Sequence, residues 1–371
     1  MGIGRFAFTP VLPLMQDDYA LSVRDAGWLA ASNYIGYLLG SLAAAVIPLR
    51  PAAIRAGLVA IAALTAAMAA GHSFGAWVVL RGLAGFASAL VFVAVSALTL
   101  GQLAALRRPF LNAGVYAGVG SGILAAGLVC LAVTHFHLRS TQAWMALGAA
   151  ALLLSMCVWG RFVQNGAELS KREGASRKHA WDAGQIRLVI AYGLFGFGYI
   201  LPATFLPVMA KQSLDDPSLF GWSWPLFGLA AALSTLLLAV LPKSVDLRRA
   251  WIVAQVVMAI GVVVPLFWSG IGSIVASALS VGGTFMVITA AAMQEARRVA
   301  PHHAAPLIAL MTSAFALGQI AGPLSVSLLP SVGSDFAVPL VTASILLLAG
   351  AGLIVRGSTG SRPLSVTTHA D

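Results

Sequence analysis

Charge is scarce in this sequence. Asp, Glu, Lys and Arg together make up 9% of the chain, and only 12 residues are acidic. A water-soluble domain carries about 25% charged residues, so a soluble fold is excluded. Cysteine is almost absent as well: Cys130 and Cys157 both lie inside apolar runs. That excludes a disulfide framework and a cysteine-based metal site, and both read as small buried hydrophobes. No Walker A sequence is present, so this chain gives no support for ATP-driven work. The histidine pairs His135-x-His137 and His302-His303 have no Cys or acidic neighbours at ligand spacing. They read as ordinary loop histidines, and neither a metal nor any other cofactor is expected.

Apolar length is what the sequence has instead. Hydrophobic residues make up 59% of the 371, and the mean hydropathy is +0.91. Stretches without Asp, Glu, Lys or Arg cover 26–49, 109–138, 140–160, 188–210, 217–242, 250–294, 299–334 and 336–355. A membrane-spanning helix needs about 20 such residues. The runs and their turn signals predict spans near 1–15, 26–47, 53–71, 75–98, 109–133, 141–162, 186–210, 221–241, 250–268, 271–294, 306–329 and 336–355. Strands of a membrane barrel would alternate in period two, which these runs do not. The expected fold is therefore an all-α membrane protein of twelve transmembrane helices.

Basic residues set the orientation. With the N-terminus placed in the cytoplasm, the inside loops and tail hold Arg50, Arg55, Arg107, Arg108, Arg161, Lys171, Arg172, Arg177, Lys178, Arg187, Lys243, Arg248, Arg249, Arg297, Arg298, Arg356 and Arg362. The outside loops hold Arg24, Arg139 and Lys211, and Arg5 and Arg81 fall inside spans. That is 17, 3 and 2 of the 22 basic residues. Both termini are expected in the cytoplasm. The net charge of +10 is thereby explained by topology and not by a nucleic-acid partner. The first span is short, since fifteen helical residues reach about 22 Å against a core of about 30 Å. The expectation is a start site set inside the first helix, with no signal peptide.

The chain repeats itself. Gly2–Met15 aligns without gaps on Gly196–Met209 at an offset of 194, with five of fourteen positions identical, and each segment precedes an acidic pair, Asp17-Asp18 or Asp215-Asp216. Gly118 and Gly122 match Gly318 and Gly322 at an offset of 200. The polar stretch 163–185 divides the spans into halves, 1–162 and 186–356, with a tail at 357–371. Two six-span pseudo-repeats are the layout of a secondary transporter built for alternating access.

These segments carry a resemblance. GIGRFAFTPVLPLM (2–15), NYIGYLLGSL (33–42), RGLAGFASA (81–89), YGLFGFGYILPATFLPVMA (192–210) and FALGQIAGPL (315–324) resemble the major facilitator superfamily, and more narrowly its bacterial YbfB/YjiJ-type members. The resemblance spans nearly the whole chain. It implies the twelve-span fold, a bacterial inner-membrane location, a small-molecule substrate and proton coupling; a monomer is expected. Arg81 with Gly85 resembles the fourth-span Arg-x-x-x-Gly motif, whose arginine is implicated in proton-coupled cycling. Gly118, Gly120 and Gly122, with Gly318, Gly322 and Pro323, resemble the glycine-rich helix-packing motif. In the signature after the second span, Gly40, Arg50 and Arg55 survive but the acidic residue is missing.

Ionisable groups within a span are costly and rarely incidental. Arg5 and Arg81 are two such groups, and no Asp or Glu lies deep in any span. Carriers of cations usually place a carboxylate in the cavity. Two arginines without one favour an anionic substrate, such as a carboxylate held by a guanidinium fork. The competing reading is that each arginine reaches to a headgroup. Asn33 and Tyr37, and likewise Asn112 and Tyr116, are four apart and share helix faces. With Tyr34, Tyr192, Tyr199, Thr204 and Gln319 they are candidates to line a cavity, or else to bond between helices. Tyr199 occupies the repeat position of Arg5. Trp222 and Trp224 read as interface anchors. Gly114, Gly118 and Gly122 form a face where a neighbouring backbone can approach. Pro10, Pro13, Pro202 and Pro207 interrupt the first and seventh spans and free backbone carbonyls. An intramembrane enzyme would need clustered acid, His or Ser/His groups at membrane depth, and none is present. The leading expectation is a secondary transporter of a small anion; the alternative is efflux of hydrophobic or drug-like compounds on the same fold.

Overall fold

The computed structural model describes residues 2–46, 51–71, 73–105, 110–162, 181–214, 216–240, 246–301, 303–328 and 336–356, and no strand occurs among them. The helices are α1 (Gly2–Phe6), α2 (Phe8–Tyr19), α3 (Val23–Val46), α4 (Pro51–Ala67), α5 (Phe74–Ala105), α6 (Phe110–His135) and α7 (Ser140–Val158). After them come α8 (Ala183–Ser213), α9 (Pro217–Phe220), α10 (Ser223–Val240), α11 (Leu247–Phe267), α12 (Ile271–Val299), α13 (Ala304–Leu328) and α14 (Ala337–Arg356). Every apolar stretch read from the sequence forms a helix, the first as the pair α1 and α2. Among the described residues, eight helices are long and apolar enough to cross a membrane, and two shorter apolar ones cover Ala52–Ala67 and Ser223–Leu238.

Burial sorts centre from rim. In α8 72% of the apolar window is buried, against 28% in α7. Helix α8 lies against α2, α12, α13 and α14, while α3 lies along α5 and α13, and α6 along α10. Large apolar side chains such as Leu39, Leu42, Leu153, Met156, Leu237, Val253 and Ile345 are exposed around the bundle. A soluble protein rarely exposes so much contiguous apolar surface; here it is the face that lipid covers. Cys157 belongs to that rim: it is exposed, whereas Cys130 is buried, so the expectation of two buried thiols holds for one. Position on an outer helix, not hydrophobicity, made the difference.

Small residues let the helices approach. A Cβ on Gly36 would stand 1.9 Å from the Gly82 carbonyl oxygen, and one on Gly122 would stand 2.8 Å from the Gly2 Cα. Backbones this close gain dispersion contacts that larger side chains would prevent. Asp182 caps α8 by accepting from Gln185 N at 2.8 Å, and Asp246 caps α11 by accepting from Arg248 N and Arg249 N.

The first span departs from expectation. Helix α2 continues to Tyr19, so Asp17 and Asp18 end a helix and do not sit in a loop. Carboxylates are disfavoured at a helix C-terminus, but both have partners. Asp18 Oδ2 accepts from Ser140 N and Oγ, each at 2.6 Å, at the start of α7, and Asp17 pairs with Lys211 in the last turn of α8. Those bonds tie α2 to α7 and to α8. Residues 2–19 thus reach about 27 Å. The end of the bundle that holds these residues is termed the Asp17 end below.

Candidate functional site

Prolines shape the ground on which the site stands. Pro10 has no N–H, so the carbonyl of Phe6, four residues earlier, loses its helical donor. The helix breaks there: Ala7 separates α1 from α2, and the next bond, Val11 N to Ala7 O, stretches to 3.4 Å. Pro207 likewise frees the carbonyl of Ala203, although α8 runs on unbroken. That carbonyl accepts from Thr9 Oγ at 2.8 Å, across the contact of α2 with α8. Lys211 Nζ donates to the Pro13 carbonyl at 3.3 Å beside its bond to Asp17.

Arg5 sits on the last turn of α1, next to this break, and is 5% exposed. Its guanidinium carbon lies 4.1 Å from the ring centre of Tyr37, 5.2 Å from Phe6 and 5.4 Å from Tyr34. Nη2 donates to Gln319 Oε1 on α13 at 2.6 Å, and Gln319 Nε2 donates to the Tyr199 hydroxyl on α8. So Arg5 and the residue at its repeat position are joined through one glutamine. The Tyr34 hydroxyl meets Thr204 Oγ at 3.2 Å. Arg5 Nε has no hydrogen-bond partner.

Arg81, two turns into α5, is 2% exposed, and its guanidinium carbon lies 4.6 Å from the Phe8 ring centre. Its Nε is likewise unpartnered. Neither arginine forms an ion pair among the described residues. A desolvated cation–π contact contributes about 2 kcal/mol, while a buried ion costs several. The rings therefore soften the burial of these cations without offsetting it.

Beyond Gln319, aromatic side chains gather around Tyr199. Tyr199 stacks on Phe285 of α12 at 5.7 Å with 5° between planes, and on Phe315 of α13 at 5.5 Å with 9°. Phe315 also stacks on Tyr192 at 5.0 Å. The row continues through Phe227 to Trp224, whose ring lies 6.5 Å from Phe6. A cleft of about 460 Å³ opens at the Asp17 end between α2, α6, α8 and α10, lined by Asp17, His137, Lys211, Phe220 and Trp224 among others. Arg5, Gln319 and Tyr199 do not line it.

The remaining expected residues divide. Asn33 Nδ2 donates to the Arg81 carbonyl at 2.8 Å, an interhelical bond, and Tyr37 faces Arg5. The side chains of Asn112, Gly114 and Tyr116 lie outside the described residues. Gly318 and Gly322 abut α8, as Gly122 abuts Gly2; Gly118 departs from the expected packing face, with nothing within 4 Å of its Cβ position. Pro323 lies inside α13, and its carbonyl accepts from Ser327 Oγ at 3.2 Å. Trp224 corrects its expectation: it is fully buried, while Trp222 is 46% exposed as an anchor would be. Trp222 precedes α10, whereas Trp224 lies in its first turn on the inward face. Glu295 is buried and forked to Arg298, with Arg248 at 3.7 Å. No group of three or more His, Cys, Asp or Glu stands ready to hold a metal among the described residues. Phe285 and Phe315 were not foreseen, because a phenylalanine in an apolar span carries no contrast with its neighbours.

An all-helical apolar bundle with buried cations points to a membrane transporter. The chain belongs to the family described as "Uncharacterised MFS-type transporter YbfB", whose model matches residues 1–356. Among solved structures it is similar to the human organic anion transporter MFSD10 (TETRAN), with a TM-score of 0.63 at 16% identity, covering 95% of this chain and 96% of that one. A search of the curated proteins finds no match.

Proposed function

We propose that the chain is a secondary transporter that moves a small organic anion by alternating access between two six-helix halves. The halves are residues 1–162 and 186–356, joined by the cytoplasmic loop 163–185 and followed by the tail 357–371. Arg5 carries the anion reading. It is a buried guanidinium at the contact of α1 with α13, whose described hydrogen bond goes to a neutral amide. Membrane burial of such a cation is costly, so its presence points to a functional role. The likeness to an organic anion transporter bears on the fold alone.

Matching pairs of helices support the two halves. Contacts of α3 with α5, α4 with α7 and α1 with α6 have counterparts in α10 with α12, α11 with α14 and α8 with α13. Across the seam, α6 with α10 matches α3 with α13. Hydrogen bonds over that seam run from Arg5 toward the Asp17 end: Thr9 to Ala203, Tyr34 with Thr204, Ser327 to the Arg24 carbonyl and Lys211 to Asp17. They support a state closed along the contact of α2 with α8, with the cleft beside that contact. The basic residues favour the Asp17 end as the outside, with both termini cytoplasmic, in a bacterial inner membrane. Arg81 is the candidate for proton coupling, and the working unit is a monomer.

A second reading, efflux of hydrophobic or drug-like compounds, draws on the apolar lining of the outer cleft by Leu14, Leu131, Leu138, Phe220 and Trp224. Proteoliposomes separate the two. Organic anions should be carried and should respond to an imposed pH gradient, whereas lipophilic cations should not. Transport of cations without anions overturns the anion reading.

A further inference from the structure

The two sides of the seam contribute different chemistry. Cations come from α1 and α5: Arg5 and Arg81, cushioned by Phe6, Phe8, Tyr34 and Tyr37. Flat apolar faces come from α8, α12 and α13: Tyr199, Phe285 and Phe315, with planes within 5° to 9° of parallel. Gln319 and Tyr199 supply the hydrogen bonds between.

The Arg5 contact has a specific gap in its chemistry. Nε and Nη2 share one edge of a guanidinium, and that edge is the fork a carboxylate fits. Here Nη2 donates to the single amide oxygen of Gln319, and Nε is buried without a partner. A carboxylate replacing that oxygen would accept from both. It would release Gln319, and the body of the ligand would then extend toward Tyr199. What it meets there is a set of aligned aromatic faces, which a planar ring can join without reorienting them. A saturated ring of the same size fills the volume but gains no stacking.

We propose that the substrate is a planar aromatic carboxylate, its carboxylate forked on Arg5 and its ring against the Tyr199–Phe285–Phe315 stack. This rests on the reading of the Arg5 site as an anion site. When the halves separate, the bond from Arg5 to Gln319 parts and the fork and the stack are exposed together. In the closed state the same groups shield each other.

The test compares benzoate with cyclohexanecarboxylate and hexanoate, binding each to the purified full chain in detergent by tryptophan fluorescence and thermal shift, with tetraphenylphosphonium as the cation. Benzoate should bind roughly tenfold more tightly than cyclohexanecarboxylate, the upper range for a stacked pair. In Phe315→Leu that ratio should fall toward one, and in Arg5→Gln benzoate binding should be lost. Equal affinity for benzoate and cyclohexanecarboxylate in the wild type overturns the aromatic assignment and leaves the anion reading standing. Binding of hexanoate without benzoate does the same. Binding of tetraphenylphosphonium without any carboxylate, or binding of none of the four, overturns both.

Discussion

Asp17 and Lys211 form an ion pair, and they stand 194 positions apart. The same offset aligns Gly2–Met15 with Gly196–Met209, and the two residues each lie two positions past those segments. Thr9 and Ala203 repeat the relationship: they are also 194 apart and hydrogen-bonded to each other. Helices α2 and α8 thus meet at the Asp17 end through residues that share the offset of the sequence repeat.

Asp17 is 63% exposed and Lys211 28%, so the ion pair itself contributes no more than about 1 kcal/mol. Its value is positional. With Cys130→Ala and Cys157→Ser in the background, Asp17→Cys with Lys211→Cys should form a disulfide on mild oxidation. A protease site placed in the 163–185 loop would read it, because the cut halves stay joined until reduced. Anion uptake should stop on oxidation and return on reduction. Full uptake by the cross-linked protein would sink alternating access at this face.

Glycines of the two motifs should behave oppositely. A Cβ on Gly85 would stand 2.0 Å from the Asn33 carbonyl oxygen, which is backbone and cannot move aside, whereas Gly118 has open space. Gly85→Ala should lower stability by roughly 1–3 kcal/mol through overpacking of α3 on α5. Gly118→Ala should raise it by roughly 0.5–1 kcal/mol, since alanine loses less backbone freedom in a helix. Thermal melts in detergent measure both. Similar losses at both sites would contradict the packing of α6 described here.

Much of this architecture was legible because membrane spans are long and uninterrupted. The helices fall where the apolar runs do, and the repeat pointed to Arg5 and Tyr199 as a related pair. What was hidden was the partnering of ends and faces. Asp17 and Asp18 read as loop acids, because nothing local announces that Lys211 and Ser140, far along the chain, lie beside them. Trp224 read as an anchor because only two residues, about half a helical turn, separate the exposed Trp222 from it. The stack of Tyr199, Phe285 and Phe315 draws on three helices, and no spacing rule links them.

Glu295 is the acid that holds the other end. It is 5% exposed, accepts from Arg298 Nε and Nη2 at 2.8 Å each, and lies 3.7 Å from Arg248, which also donates to the Ile354 carbonyl. It thus links α12 to α11 and, through Arg248, to α14. Glu295→Gln keeps the shape but loses the charge that both arginines share. Stability should fall by about 1–3 kcal/mol, the range for leaving buried polar partners unsatisfied. Arg298 is 65% exposed and can turn to solvent, so most of the loss should come through Arg248. An Arg298→Ala variant that costs as much as Glu295→Gln would refute that division.

Arg81 offers the sharpest separation of function from stability. The residue is 2% exposed, its guanidinium has no ion-pair partner among the described residues, and it rests on the Phe8 ring. A charge at membrane depth costs about 3 kcal/mol, and the ring returns about 2 kcal/mol. Arg81→Met keeps much of the side-chain volume and removes the ion. The variant should therefore be at least as stable as the wild type, and by this balance about 1 kcal/mol more stable. Its anion uptake should nevertheless be lost. A structural arginine would behave in the opposite way, with a lowered melting temperature and transport falling only in proportion to folded protein. Measuring the melt and the uptake on the same preparation decides between them, because a residue kept for function can be removed without loss of stability while activity disappears.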